Sequence, residues 1–286
     1  MNHLLKLTLA ACLGLFLLPA QAQELTLNGP HGKLAVTYEK PVGFKKYPLA
    51  ILCHGFTSNR NDPLMQELSA ALLKRGVATV RFDFNGHGES EGKFEDMTVP
   101  KEVLDARAIY DFASAQSEVL DIMLIGHSQG GVVAALTAAQ LEVDRVKALV
   151  LLAPAAVMRE DALRGNLFGV QFDPADPPQT VEIFDNHKVG RDYILTAQKL
   201  PIYERAATYE GFAFIVHGLH DTTVPYTYGE RFAEDIRLSA VRLIDNADHV
   251  FTGMQRQVAD LVAEFASRAS KLDVSRHETM NFETKN

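Results

Sequence analysis

Short apolar runs alternate with amphipathic stretches along most of this chain, and that alternation predicts its architecture. Residues 24–27 and 34–38 alternate around the turn residues Asn28, Gly29, Pro30, His31 and Gly32, which predicts an antiparallel hairpin. Nearly continuous apolar runs follow at 48–53, 122–125, 148–152 and 212–216, and further strands are predicted at 77–84 and 241–244. Runs of that kind are strands buried on both faces, as in a parallel sheet. Helical patterns separate them. Residues 64–73 are amphipathic and end at Lys74, Arg75 and a capping Gly76. Leu104, Ala108 and Phe112 fall at i, i+4 and i+8 after Pro100, which places them on one predicted helix face. Small residues at 132–141 predict a third helix, and 228–236 and 255–272 two more. The class is α/β: a mostly parallel twisted sheet with helices on both faces and an N-terminal antiparallel hairpin.

Two stretches break the rhythm. Residues 154–210 hold Pro174, Pro177, Pro178 and Pro201 together with Phe168, Phe172, Phe184, Tyr193 and Tyr203. So long a structureless loop is unusual in a compact domain. The expectation is an inserted cap over the carboxyl ends of the strands, where open α/β sheets bind ligands. The other is residues 1–22, with Lys6, an apolar run at 7–18 and Ala20-Gln21-Ala22, which form a predicted signal peptide cleaved before Gln23. A lipidation box at Leu9-Ala10-Ala11-Cys12 lies too early in that run. Export to a periplasm or out of the cell is expected, with residues 23–272 as one domain and 273–286 as a polar tail.

Charge and cysteine content narrow the function classes. Loss of Lys6 with the leader leaves 27 basic and 36 acidic side chains, a net charge of −9, and no basic block stands out. That speaks against nucleic acid and anionic membranes as partners. No later run is long enough to span a bilayer. Cys12 leaves with the leader, so Cys53 is the one mature cysteine, a free thiol expected to fill space in its strand. There is no His-Glu-x-x-His and no pair of cysteines at ligand spacing, so neither metal nor cofactor is expected.

The candidate chemistry centres on Gly126-His127-Ser128-Gln129-Gly130, between the strand at 122–125 and the helix at 132–141. A G-x-S-x-G sequence in a strand-turn-helix setting exposes a serine hydroxyl above the sheet. Serine needs an imidazole to take its proton, and the imidazole needs a carboxylate to hold it. Asp221 follows the strand at 212–216, and His249 follows the strand at 241–244, so the order Ser, Asp, His is met at spacings of 93 and 28 residues. Asp245 and Asp248 are rival carboxylates, although Asp248 adjoins His249 and is expected to face solvent. His127 is expected to point away from the site and pack toward the helix, and structural roles are open to His87, His217 and His220. Two backbone N–H groups are expected to hold the oxyanion: that of Gln129, after the nucleophile, and that of Phe56, in the loop His54-Gly55-Phe56-Thr57-Ser58.

Together these residues resemble the α/β-hydrolase family, and most closely its cinnamoyl and feruloyl esterases. The resemblance is carried by His54-Gly55-Phe56, the stretch from Phe82-Asp83-Phe84 to Gly88-Glu89-Ser90, Gly126 to Gly131, His217-Gly218 with Asp221 and Val224-Pro225, and Ala247-Asp248-His249. It implies the α/β-hydrolase fold, with the cap inserted after the strand ending near Ala153, and a serine esterase acting on small-molecule esters. Around the insertion, Leu152 to Ala156, Asp161 to Leu163 and Gln198 to Glu204 resemble the entry and exit of the feruloyl-esterase cap. In that family a cap aspartate and a cap glutamine are associated with the phenolic hydroxyls of the acyl group. Asp161 matches the aspartate, with helix capping as its alternative role. Phe168 stands where the glutamine would be, a departure, because a phenyl ring neither donates to nor accepts from a hydroxyl. Several lipases and peptidases share the core motifs, and the alternative function is a general short-chain carboxylesterase or a monoacylglycerol-type lipase.

Overall fold

The computed structural model describes residues 21–141 and 145–272. The expected leader, apart from its last two residues, and the polar tail at 273–286 lie outside the described residues. Strand β1 (Gln21–Gly29) pairs antiparallel with β2 (Gly32–Lys40) across the expected hairpin turn. The chain then continues through β3 (Tyr47–Cys53), α1 (Pro63–Lys74), β4 (Ala78–Phe82), α2 (Val99–Ser114), β5 (Val119–His127), α3 (Gln129–Gln140) and β6 (Ala148–Leu152). With two strands from late in the chain, β11 (Phe212–Gly218) and β12 (Ser239–Ile244), these six form one eight-stranded sheet of order β1-β2-β4-β3-β5-β6-β11-β12. From β4 to the far edge every pairing is parallel. This is the mostly parallel α/β sheet that the apolar runs predict.

In the uninterrupted runs alternating side chains enter two separate cores, so neither face calls for a polar residue, whereas β4 carries Thr79 and Arg81 and β12 carries Arg242. In β3, Leu49, Ile51 and Cys53 pack on the side of α2 and α3, while Ala50 and Leu52 pack on the side of α1. In β5, Leu124 and Ile125 divide in the same way. Cys53 is a free, fully buried thiol. Burial and the neighbouring Glu102 push its pKa up, so little of the nucleophilic thiolate forms.

Helix α2 corrects the sequence expectation. Thr98 caps it, its hydroxyl accepting from the N–H of Lys101. Its buried face is Val99, Val103, Ala106, Ile109, Tyr110 and Ala113, whereas Leu104 is 45% exposed and Ala108 and Phe112 are half-buried. Glu102 and Asp105 share the buried face because each has a partner there. Gln129 Nε2 donates to Glu102 and the Asn85 N–H to Asp105. Two buried acids thus disguise the apolar stripe.

The segment between β6 and the next sheet strand is not structureless. It forms α4 (Val157–Arg164), the ribbons β7 (Asn166–Leu167) with β8 (Val170–Gln171) and β9 (Thr180–Glu182) with β10 (Lys188–Gly190), α5 (Arg191–Ala197) and α6 (Ile202–Ala206). Its buried residues, among them Leu167, Val189, Tyr193 and Ile202, belong to the same cluster as the α2 and α3 side of the main core. The insertion is therefore packed into the domain rather than tethered to it. The chain closes with β11 (Phe212–Gly218), α7 (Thr227–Asp235), β12 (Ser239–Ile244) and α8 (Gln255–Ala269). No helix among the described residues is long and apolar enough to cross a membrane.

Candidate active site

Parallel strands deliver their carboxyl ends to one edge of the sheet, and the candidate residues gather there. β5 ends at His127 and α3 begins at Gln129, so Ser128 alone makes the turn, with φ 55° and ψ −123°. A non-glycine residue in that conformation is strained and has to be held. The Ser128 N–H donates to the Leu152 carbonyl at 2.9 Å, and the Ser128 carbonyl accepts from the Ala155 N–H at 3.0 Å. Gly126 and Gly130 allow strand and helix to approach, since a Cβ at Gly126 would overlap the Gly130 carbonyl.

Ser128 Oγ lies 2.9 Å from His249 Nε2, and His249 Nδ1 lies 2.7 Å from Asp221 Oδ2. An ionised carboxylate only accepts, so Nδ1 carries the proton and Nε2 is free to accept from the serine hydroxyl. Asp221 Oδ1 also accepts from the N–H groups of Thr223 and Val224, and Oδ2 accepts from His217 Nε2 at 3.2 Å. Burial alone would raise the Asp221 carboxyl. Hydrogen bonds from His217 and His249, the charge on His249 and the Val224 N–H outweigh it and hold the group well below the usual carboxylate range. Asp221 is therefore a fixed anion. The rival acids are occupied locally: Asp245 accepts from the Asn246 N–H and Asp248 from the Thr252 N–H.

Three further histidines support this line. His127 does not point away, as expected from the sequence. Its Nε2–H donates to the His249 carbonyl at 2.8 Å and its ring lies 5.0 Å from the His249 ring, tying the loop of His249 to the strand that leads to Ser128. His54 donates from Nδ1 to the Gly55 carbonyl at 2.8 Å, while its Nε2 accepts from the Phe84 N–H at 3.1 Å. The Gly55 carbonyl and the Phe56 N–H belong to one trans peptide, so holding the first sets the direction of the second. Burial is the leading reason that His54 and His127 are both lowered to about 4, leaving neutral rings with fixed tautomers. His217, fully buried, donates from Nε2 to the Val224 carbonyl as well as to Asp221. The loop that carries Phe84 is anchored by Asp83, which accepts from the backbone N–H groups of Arg60 and Glu89 and pairs with the Arg60 guanidinium.

The loop of Phe56 sits against Ser128: a Cβ at Gly55 would be 3.3 Å from Ser128 Cβ. Gln129 opens α3, where the leading N–H groups have no intrahelical acceptor and the helix dipole favours negative charge. The Phe56 ring faces the insertion, 5.4 Å from Phe168, 5.6 Å from Tyr193 and 5.2 Å from Phe94. Phe168 meets Phe184 edge-on at 5.0 Å, has a φ of 50° and is 49% exposed. Asp161 lies inside α4, whose N-cap is Ala156, so it is not a helix cap. Burial raises its carboxyl, and its charge is felt at Tyr193. The described residues contain no group of three or more His, Cys, Asp or Glu side chains that could hold a metal ion.

A serine on a strained strand-to-helix turn, in line with an imidazole and an acid at one edge of this sheet, is the arrangement of an α/β-hydrolase. Comparison with known proteins agrees. A family model described as serine aminopeptidase, S33, matches residues 47–171. The solved structure of Est1E from Butyrivibrio proteoclasticus with ferulic acid bound is 33% identical, with a TM-score of 0.83, over 87% of this chain and 100% of that one. A 31.7 kDa Escherichia coli protein from the traX-finO intergenic region is 36% identical over 120 residues, 41% of each chain. Human monoglyceride lipase is 30% identical over 126 residues, 43% of this chain and 40% of the lipase. The matches thus span less than half the length of these two curated relatives. The chain belongs to the α/β-hydrolase serine esterases, which are carboxylic ester hydrolases.

Proposed function

We propose that this protein is an exported serine esterase that cleaves aromatic carboxylic esters of the hydroxycinnamoyl type through an acyl-enzyme. The observation that carries the chemistry is the continuous line Ser128 Oγ, His249 Nε2, His249 Nδ1, Asp221 Oδ2, at 2.9 and 2.7 Å. Ser128 Oγ attacks the ester carbonyl as His249 takes its proton, and Asp221 stabilises the imidazolium. The N–H groups of Phe56 and Gln129 hold the oxyanion, a term worth about 10²–10³ in rate for each donor. His249 returns the proton to the departing alcohol. Water, deprotonated by the same ring, then attacks the acyl-enzyme and releases the acid.

The aromatic preference rests on the wall of Phe56, Phe168 and Phe184 beside the oxyanion loop, with the insertion acting as a cap that contributes Phe168 and Asp161 to the acyl site. Ferulic acid bound to the similar Est1E supports it. Phe168 favours a second reading, a short-chain carboxylesterase or monoacylglycerol-type lipase, since it offers no polar contact to a ring hydroxyl. Rates on methyl ferulate, nitrophenyl acetate and a monoacylglycerol separate the two. Fast acetate turnover with negligible ferulate turnover sinks the hydroxycinnamoyl reading. A fluorophosphonate probe is expected to label Ser128 and to miss Ser128→Ala, and an unlabelled native enzyme ends the esterase reading. Export rests on the apolar run at 7–18 and the Ala20-Gln21-Ala22 site. A mature N-terminus at Gln23 in the periplasmic or secreted fraction is its expected signature, and an uncleaved cytoplasmic protein refutes it.

A further inference from the structure

Glu102 is a buried acid that the ester chemistry does not use. It is 2% exposed on α2, and its carboxyl accepts from Gln129 Nε2 at 2.8 Å. The other end of the same amide is also held, because Gln129 Oε1 accepts from the Tyr193 hydroxyl at 2.8 Å. Tyr193 is 3% exposed and comes from α5 of the insertion. Gln129 Nε2 further lies 3.5 Å from Met97 Sδ. The residue whose backbone N–H is assigned to the oxyanion is therefore held between two elements, one from the main domain and one from the cap.

A glutamine side chain has three rotatable bonds, and at the first position of a helix nothing in the helix itself restrains it. With both ends of its amide engaged, its Cα and the adjoining Ser128–Gln129 peptide lose freedom to rotate. Buried polar groups also make departure unfavourable, since lifting α5 would strand the Tyr193 hydroxyl and the Gln129 carbonyl oxygen together. Burial, reinforced by the charges on Glu102 and Asp161, keeps the Tyr193 phenol protonated as a donor.

We infer that Tyr193 and Glu102 are positioning residues for the oxyanion turn, acting through the Gln129 side chain, so that seating of the cap is transmitted to the N–H that stabilises the transition state. The inference rests on the assignment of Ser128 as nucleophile.

The test uses nitrophenyl acetate, whose two-carbon acyl group carries no ring or hydroxyl for Tyr193 to contact, on the full mature enzyme. Complete loss of one donor is worth about 10²–10³ in rate, so a donor that is only loosened should cost about 10-fold in kcat. Tyr193→Phe and Glu102→Leu are each expected to lose that much with KM within about twofold, and fluorophosphonate labelling should slow in parallel. Glu102→Gln keeps an accepting oxygen and should restore kcat to within about twofold of native. The double variant Tyr193→Phe/Glu102→Leu should be little worse than either single one, because both act through one amide. Native kcat in Tyr193→Phe, an effect confined to KM, multiplicative losses in the double variant, or Glu102→Gln as impaired as Glu102→Leu each overturns the inference. If Glu102→Leu does not fold, Tyr193→Phe and Glu102→Gln still decide it. Labelling of native enzyme at Ser128 reports on the esterase reading separately, while the ratios between variants report on the positioning.

Discussion

Gly130 and Gly131 are adjacent in α3, and the structure assigns the same substitution opposite consequences at the two positions. A Cβ at Gly130 would overlap the carbonyl oxygens of Cys53 and His54, where β3 runs into the oxyanion loop. Both are backbone atoms and cannot swing aside. To restore ordinary contact, near 3.4 Å, helix and strand end must part by about 1 Å. Ser128 and Gln129 ride on one side of that gap and Phe56 on the other, so the two proposed oxyanion donors separate. A misplacement of about 1 Å can cost 10²-fold in rate. The fold should suffer less, because overpacking of about 1–3 kcal/mol is partly offset by up to about 1 kcal/mol from replacing a helical glycine with alanine. At Gly131 the added Cβ would lie 3.2 Å from the Gly126 carbonyl oxygen and from Pro154 Cα and Cβ, a few tenths of an ångström too close. Gly131→Ala should keep kcat within about threefold of native and be near neutral in stability, the helix gain balancing the squeeze. Steady-state kinetics on nitrophenyl acetate, with urea unfolding of each variant, test both. A Gly130→Ala enzyme within about threefold of native kcat, or a Gly131→Ala enzyme worse than Gly130→Ala, refutes the reasoning.

Asp221→Asn should keep the fold and lower kcat by about 10⁴, since an amide in place of the fixed anion favours the wrong His249 tautomer; a stopped-flow acylation rate near native contradicts this. Phe168→Gln should raise the ratio of methyl ferulate to methyl cinnamate turnover by about 3–10-fold, the worth of one hydrogen bond to the ring hydroxyl; an unchanged ratio removes Phe168 from the acyl site. Acid should destabilise the protein. His54 and His127, lowered to about 4, stay neutral in the fold while the unfolded chain takes up protons below about 6.5, so stability falls between those pH values. Asp105 opposes them: burial raises it to about 6, so the folded state binds its proton first and regains stability between about pH 6 and 4. Asp105→Asn, whose amide oxygen can still accept from the Asn85 N–H, should therefore gain stability at pH 7 and lose more between pH 7 and 4 than the native protein. Urea midpoints across that range measure it, and parallel curves for the two proteins count against it.

Much of the fold was readable because a parallel strand buried on both faces leaves an uninterrupted apolar run, which 48–53, 148–152 and 212–216 all do. The strand ends then determine where loops emerge, so Ser128, Asp221 and His249 could be placed at one edge without knowledge of a single distance. The pattern failed where a polar group was buried with its partner. Glu102 and Asp105 look like solvent-facing positions of α2, and only the Gln129 amide and the Asn85 N–H, distant in sequence, explain why they are not. Composition alone could not show that the insertion joins the main core, since proline and aromatic content says little about what an aromatic ring packs against.

The supporting histidines carry a signal of a different kind, their place at strand ends. His54 directly follows β3, His127 is the last residue of β5, and His217 lies at the end of β11. Parallel topology brings all three to the edge where His249 arrives from the loop after β12. Taken singly each is one histidine among several, but their shared position at strand ends makes them neighbours. What no spacing reveals is which ring nitrogen faces which group, and that is what separates their tasks. In the proposed mechanism His249 needs one bare and one protonated nitrogen to move a proton from Ser128. His54, His127 and His217 instead use a ring N–H to hold a carbonyl of the oxyanion loop, a carbonyl of the base's loop and the carboxylate of Asp221. Burial keeps His54 and His127 neutral, so they position the reacting groups without adding a like charge beside the imidazolium that forms on His249.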